Sequence, residues 1–380
     1  MLKLPAVVCD HGTGYTKLGF AGQQLPSFMF PTCVTKSANS FLSDLTYKSG
    51  QDAVDSGQNV IYPLQNGIIQ NWDALQQLQF DCFNKFLHIT PQEHEIILTE
   101  PPMNSPENRE RLSEIMFESF NFKGMFIGAQ ALFAIFSKAW DNQNNLEHTG
   151  ICLDIGDGVS HVIPVYEGYV MQHAVQSVPI AGKAITQFVQ DMLSRREKIQ
   201  TDIQQKIAKI VKEKYCYCAN QALAMEFMDF QPIVNQNVCG VNIDIGQEAF
   251  IAPEIFFDPS IYSKIHETSI AQIVFNSIQH CPIDCRKTMY ENIYLSGGST
   301  ILKGFSQRLQ NDIQAIVDSK NLRGITVNVK SHGLQRTAVF SGASIFGAKP
   351  EFKDVVLSKQ RYQEEGKNCA REFSLVKRSE

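Results

Sequence analysis

Two stretches of this sequence repeat one arrangement of residue types. Asp10-His11-Gly12-Thr13-Gly14-Tyr15-Thr16-Lys17 and Asp154-Ile155-Gly156-Asp157-Gly158-Val159-Ser160-His161 align without a gap as Asp-x-Gly-x-Gly-x-[Thr/Ser]-[Lys/His]. Glycines at these places let backbone N–H groups approach phosphate oxygens. A carboxylate at each strand end, Asp10 or Asp154, can hold a hydrated divalent cation. Lys17 can neutralise phosphate charge as a point cation. The pattern is neither a Walker loop nor a dinucleotide fingerprint, because Lys17 or His161 stands where the third glycine would be. One such loop alone reads rather as a glycine turn with a solvated aspartate. Two in matching context point to an internally duplicated, two-lobed nucleotide clamp. A third cluster, Tyr294-Leu295-Ser296-Gly297-Gly298-Ser299-Thr300, suits close backbone approach to an adenosine and reads equally, alone, as a plain turn.

The elements that must position these residues alternate between strand and helix, which predicts an α/β fold. Apolar runs at 6–9 and 151–153 read as strands ending at Asp10 and Asp154, with 15–20 and 161–166 returning. Leu75, Leu78, Phe83 and Phe86 have helical spacing. Residues 96–99 and 125–127 read as further strands, and a helix begins near Gln130. Ser105-Pro106 predicts a helix start, with Leu112, Ile115, Met116 and Phe120 on its apolar face. Glu167-Gly168 is a turn. Thr201 with Gln204 predicts a capping box before Ile203, Ile207, Ile210 and Val211. Residues 141–147 read as a linker and 228–245 as irregular. Phe305, Leu309, Ile313 and Ile316 mark a late helix, 325–329 a strand, and the charged tail from about Gln360 reads as loosely held.

Composition removes several classes of function. The chain has 380 residues, enough for two or three domains, and a net charge of −5 with no dominant basic stretch. Broad electrostatic binding to nucleic acid or to an anionic membrane is not expected. No apolar run reaches the length of a membrane span, and the start lacks a signal-peptide pattern, so a soluble intracellular protein is expected. The ten cysteines are scattered mainly among apolar residues and read as reduced thiols. Cys281-x3-Cys285 beside His280 comes nearest to a metal pair, but no second pair has zinc spacing and Pro282 interrupts it.

The stretches 10–22 (DHGTGYTKLGFAG), 153–161 (LDIGDGVSH) and 295–300 (LSGGST) together resemble the actin superfamily, and the resemblance runs over nearly the whole chain. The stretches 63–73 (PLQNGIIQNWD), 115–121 (IMFESFN) and 129–132 (AQAL) are also similar. Four more, 99–110 (TEPPMNSPENRE), 211–218 (VKEKYCYC), 254–259 (EIFFDP) and 281–287 (CPIDCRK), resemble the actin-related proteins, and the first and last differ in wording from conventional actin.

The resemblance implies an actin-like two-lobed ATPase fold, with internally duplicated β-hairpin/α-helix domains and a nucleotide cleft between lobes. It implies one lobe of residues 1–140 plus 335–380 and another of 141–334, with ATP and Mg2+ or Ca2+ as ligands. Carried over by position, Gly12, Thr13, Gly14, Tyr15 and Lys17 contact phosphates, as do Asp157, Gly158 and Val159. Asp10 and Asp154 hold the cation. Gly182, Lys212, Glu213, Gly298, Ser299 and Arg336 belong to the nucleotide pocket, and Gln130 and His161 order the attacking water beside Asp154. Without the resemblance, Gln130 reads as a polar helix residue, His161 as a satisfied interior histidine, and Lys212 and Glu213 as a solvated face.

Departures from the family pattern are His11 in place of Asn, Ile155 in place of Ser and Lys183 in place of Arg. Leu302 replaces an aromatic residue, Phe340 a Trp, and Ser341 interrupts a Gly-Gly pair. The second-lobe segments near 228–242 and 318–332 read as shortened. The implied role is a cytoplasmic, cytoskeletal subunit of a complex that nucleates branched actin filaments, with at most slow regulatory ATP hydrolysis. Its implied partners are a second actin-related protein, scaffold subunits, actin filaments and nucleation-promoting factors. The competing readings are a divergent filament-forming actin, a sugar kinase of the same fold, and a chaperone ATPase. No sugar-binding signature is evident, and no room remains for a peptide-binding domain.

Overall fold

A computed structural model describes residues 4–36, 47–56, 59–137, 149–196, 199–219, 234–265 and 267–371. The chain divides into two compact units. One is Met1–His148 with Glu167–Gln172 and Thr337–Glu380; the other is Thr149–Tyr166 with His173–Arg336.

In the first unit, Val7–His11 pairs antiparallel with Tyr15–Phe20 and parallel with Glu95–Glu100, which in turn pairs parallel with Gly124–Ala129. Phe28–Pro31 and Leu357–Ser358 close the two edges of this sheet. Successive side chains of a strand face opposite sides. Val7 and Cys9 therefore join one core with Leu75, Leu78, Phe83, Ile96 and Met116. On the other side the helices Gln130–Phe136 and Ala338–Ala348 pack together, and the second of them lies against Val7–His11. Phe126 meets Phe346 there, ring centroids 5.0 Å apart. Burial on both faces is why these strands read as continuous apolar runs. Gly342 sets the helix crossing, because a Cβ on it would lie 1.7 Å from the Phe133 carbonyl oxygen. The helix Pro106–Glu114 starts as its sequence predicts, with the Ser105 hydroxyl accepting from the Asn108 N–H at 3.2 Å.

The second unit repeats the arrangement. Gly150–Ile155 pairs antiparallel with Ser160–Tyr166 and parallel with Ile293–Ser296, which pairs parallel with Val329–Lys330. In both units, then, a hairpin ends in a glycine loop, and its first strand is flanked by a parallel strand from later in the chain. The helix Glu248–Glu254 in this unit has Gln247 at its cap position.

Several local expectations are corrected. Residues 234–245, expected to be irregular, form a hairpin, Val234–Val238 with Val241–Ile245. Its two turn residues, Cys239 and Gly240, both have positive φ, 54° and 80°. The helix Thr201–Tyr215 has Gln200 at its cap position, and the Gln204 amide donates to the Ile199 carbonyl at 2.9 Å instead of closing a capping box. The strand expected at 325–329 is only Val329–Lys330, because register with Ile293 begins at Val329. The tail is held as far as Arg371. Tyr362 stacks on Phe117 and donates to Glu118 at 2.7 Å, and Arg371 pairs with Glu110. The linker 141–147 lies outside the described residues, as do 228–233 and 372–380.

Candidate functional site

The first loop is built on hairpin register. Asp10 pairs across the strands with Lys17, so both side chains stand on one face. Lys17 Nζ lies 2.7 Å from Asp10 Oδ2. The Thr99 hydroxyl donates to Asp10 Oδ1 at 2.6 Å, and Gln130 Nε2 reaches the same oxygen at 3.4 Å. Burial alone would raise the Asp10 pKa, but the Lys17 cation and the hydrogen bonds from Lys17 and Thr99 hold it below its ordinary value. The loop closes through the Gly12 N–H to the Tyr15 carbonyl at 3.0 Å. Thr13 Oγ1 accepts from the Gly67 N–H at 2.8 Å, which ties the loop to a neighbouring turn. His11 bridges Cys9 Sγ, 3.1 Å from Nε2, and Thr16 Oγ1, 3.0 Å from Nδ1.

The second loop closes in the same way, the Gly156 N–H donating to the Val159 carbonyl at 3.3 Å. Its flanks differ. Asp154 stands across from His161, where the first loop has Asp10 across from Lys17. His161 Nδ1 lies 2.7 Å from Ser177 Oγ, while its buried Nε2 has no hydrogen-bond partner among the described residues. Burial lowers the His161 pKa, with Asp154 opposing.

Around this loop the Lys183 N–H donates to the Asp157 carbonyl at 2.7 Å, and Ser299 Oγ donates to the Gly156 carbonyl at 2.9 Å. Gly182 suits this close packing, since a Cβ would come within 2.8 Å of Ser299 Oγ and 3.2 Å of an Asp157 carboxylate oxygen. Lys212 is 9% exposed, donates to the Gly182 carbonyl at 3.0 Å and lies 3.9 Å from Asp157. Burial pushes the Lys212 pKa down, against Asp157 and Glu213. Gly297, at φ 90°, could carry no side chain, because its Cβ would meet the Ile155 carbonyl oxygen at 2.2 Å. The space a Cβ would take on Gly298 lies 3.9 Å from Arg336 Cγ.

The structure therefore gathers Asp10, Gly12, Thr13, Gly14, Tyr15, Lys17 and Gln130 around one loop. It gathers Asp154, Asp157, Gly158, Val159, His161, Gly182, Lys212, Ser299, Gly298 and Arg336 around the other. Glu213, next to Lys212, is exposed. Lys212 is a buried lysine rather than part of a solvated face. His161 differs from a satisfied interior histidine in that Nε2 has no partner among the described residues. Sequence reasoning missed Thr99 and Ser177. Thr99 had a readable signal: it follows the apolar run 96–98 as Asp10 follows its own, on the neighbouring parallel strand.

A profile of the actin family matches residues 1–374. The chain belongs to the actin family. It is 40% identical to actin-related protein 3 of Drosophila melanogaster, with 97% of each chain covered. It is 39% identical to actin-related protein 3 of Dictyostelium discoideum, covering 98% of this chain and 97% of that one. Against actin-related protein 3 of Saccharomyces cerevisiae the identity is 37%, with 98% of each covered. Binding of a nucleotide with a divalent cation is general in the actin family, and the fold described above is the actin fold. Among the described residues no helix is long and apolar enough to cross a membrane.

Proposed function

We propose that the chain is an ATP-binding, actin-like subunit of the actin-related protein 2/3 complex that contributes to nucleation of branched actin filaments. The observation that carries this reading is the similarity, over almost the whole of both chains, to relatives named actin-related protein 3. The duplicated glycine loops supply the chemistry.

The residues present fit a nucleotide and a cation. Asp10 is a buried carboxylate kept ionised by its donors, His161 Nε2 is a buried polar atom without a partner among the described residues, and Gly182 leaves space that a Cβ would fill. In this reading Gly12, Thr13, Gly14, Tyr15 and Lys17 serve phosphate oxygens, and so do Asp157, Gly158 and Val159. Lys17 exchanges Asp10 for phosphate. Gly182, Lys212, Glu213, Gly298, Ser299 and Arg336 serve the ribose and adenine. Asp10 and Asp154 hold the water shell of Mg2+ or Ca2+, which supplies charge neutralisation for the phosphates. Gln130 and His161 order a water, and hydrolysis is slow and regulatory. ATP acts as a conformational ligand whose differential contacts bias the chain's arrangement.

The partners in this reading are a second actin-related protein, scaffold subunits, actin filaments and nucleation-promoting factors, in the cytoplasmic cytoskeleton. The test is a pull-down of the tagged chain from its own cells, with a pelleting assay of the purified chain. We expect recovery of a second actin-related protein with non-actin subunits, and a purified chain that stays in the supernatant where actin polymerises. A chain that pellets alone and brings down no scaffold subunits would overturn the assignment in favour of a divergent filament-forming actin.

A further inference from the structure

Strand register in the second unit lines up four polar residues. Ser177 stands across from His161, His161 across from Asp154, and Asp154 across from Ser296. Residues opposite one another on paired strands project to the same face, and neighbouring strands lie ~4.8 Å apart. The four side chains therefore form one continuous row across the strands Gln176–Val178, Ser160–Tyr166, Gly150–Ile155 and Ile293–Ser296.

Burial alternates along the row: Ser177 is exposed and Asp154 half-buried, while His161 is 8% and Ser296 1% exposed. Two of its polar atoms are buried without a hydrogen-bond partner among the described residues, His161 Nε2 and Ser296 Oγ. Leaving either unpaired costs free energy comparable to a lost hydrogen bond, so each calls for a small polar partner. The Asp154 carboxylate lies between them in register and can only accept.

The hydrogens follow from these neighbours. A neutral imidazole has one donor and one acceptor nitrogen. The tautomer assigned here carries its proton on Nε2, in the field of the Asp154 carboxylate across the strands. Nδ1 then accepts from the Ser177 hydroxyl at 2.7 Å. The row thus offers a donor at Nε2, an acceptor at Asp154 and a hydroxyl at Ser296, which is the set of partners an ordered water needs.

We propose that Ser177 and Ser296 are positioning residues for a water held by this row, Ser177 by fixing the ring and tautomer of His161 and Ser296 by holding the far side of the water beside Asp154. The inference rests on the nucleotide-binding reading only for the identity of that water as the one that attacks ATP. The tautomer and the water contact stand without it.

The test uses the full chain with 15N-labelled histidine, the His161 signals being assigned by their loss in His161→Gln. We expect the native chain to show a single Nε2–H tautomer. Ser177→Ala should give a mixture, Ser177→Thr should restore the single form, and Ser296→Ala should shift the Nε2 signal while leaving Nδ1 in place. In a second arm, ATP affinity in Ser177→Ala and Ser296→Ala should match the native chain, while single-turnover hydrolysis slows about fivefold, the effect of one hydrogen bond. Unchanged His161 signals in Ser177→Ala and Ser296→Ala would overturn the positioning roles. A native chain that binds ATP without hydrolysing it, or equal hydrolysis in native and variant chains, would overturn the link to an attacking water. A native chain that fails to bind ATP would instead sink the nucleotide reading and leave the histidine signals to decide the row.

Discussion

Lys17 and Asp10 show how much one cross-strand pair decides. The carboxylate is 1% exposed, and its cation lies 2.7 Å away. Removing one partner of a buried ion pair strands the other, at a cost of about 3–5 kcal/mol. Lys17→Ala should therefore destabilise the chain by about 3 kcal/mol at neutral pH. The sign of its pH dependence follows from the depressed Asp10 pKa. That contribution is complete above the ordinary carboxylate value of about 4 and is lost as pH falls through the lower folded value. The gap between native chain and variant should accordingly be widest near pH 7 and narrow in acid; denaturation midpoints across pH 3–7 check it. Calorimetry with ATP and with adenosine reads the other role of Lys17. The variant should lose affinity for ATP and little for adenosine, which offers no charge to neutralise. In Asp154→Ala the cation-dependent part of ATP binding should weaken. Unchanged ATP affinity in both would sink the two-loop clamp.

At the scale of elements, Gly342 makes the plainest prediction. The helix Ala338–Ala348 crosses Gln130–Phe136 so closely that a Cβ at 342 would overlap the Phe133 carbonyl at 1.7 Å. The obstructing atom belongs to backbone, so the helices must move apart, and overpacking of this kind costs about 1–3 kcal/mol or more. Gly342→Ala should lower the melting temperature, although alanine is intrinsically the better helix former. A melting temperature equal to or above the native one would mean that the crossing relaxes freely. Nothing in the local sequence announces this contact, because it depends on a helix some two hundred positions earlier in the chain. Both glycine loops and their flanking strands were legible, since hairpin register and apolar runs are local. The hairpin Val234–Val238 with Val241–Ile245 was missed because its turn is Cys-Gly. A cysteine at φ 54° gives none of the turn signal of Asn or Asp. Ser177 was missed because a three-residue strand carries no period, and only its pairing with His161 gives it meaning.

Connectivity governs the molecule as a whole. The second unit is complete once the chain reaches Arg336, but the first also needs the segment from Thr337 onward. That segment supplies Ala338–Ala348, most of whose residues are buried, and Leu357–Ser358, which closes a sheet edge. It also supplies Tyr362, stacked on Phe117. Contacts between the two ends of a long chain form late, because loop closure must precede them. A chain ending at Arg336 should therefore hold a folded second unit beside a first unit that leaves Phe126, Phe133 and Val8 without the helix that covers them. Such a state exposes apolar surface and binds hydrophobic dyes while keeping much of its secondary structure. Hydrogen exchange on the truncated chain should find protection in the strands Gly150–Ile155 and Ile293–Ser296 close to that of the full chain. Protection in Val7–His11 and Glu95–Glu100 should fall by orders of magnitude, since local opening there no longer requires displacing the helix. Native-like protection in both sets of strands would show that the first unit closes without its C-terminal segment. Equal loss in both would show that the two units fold only together.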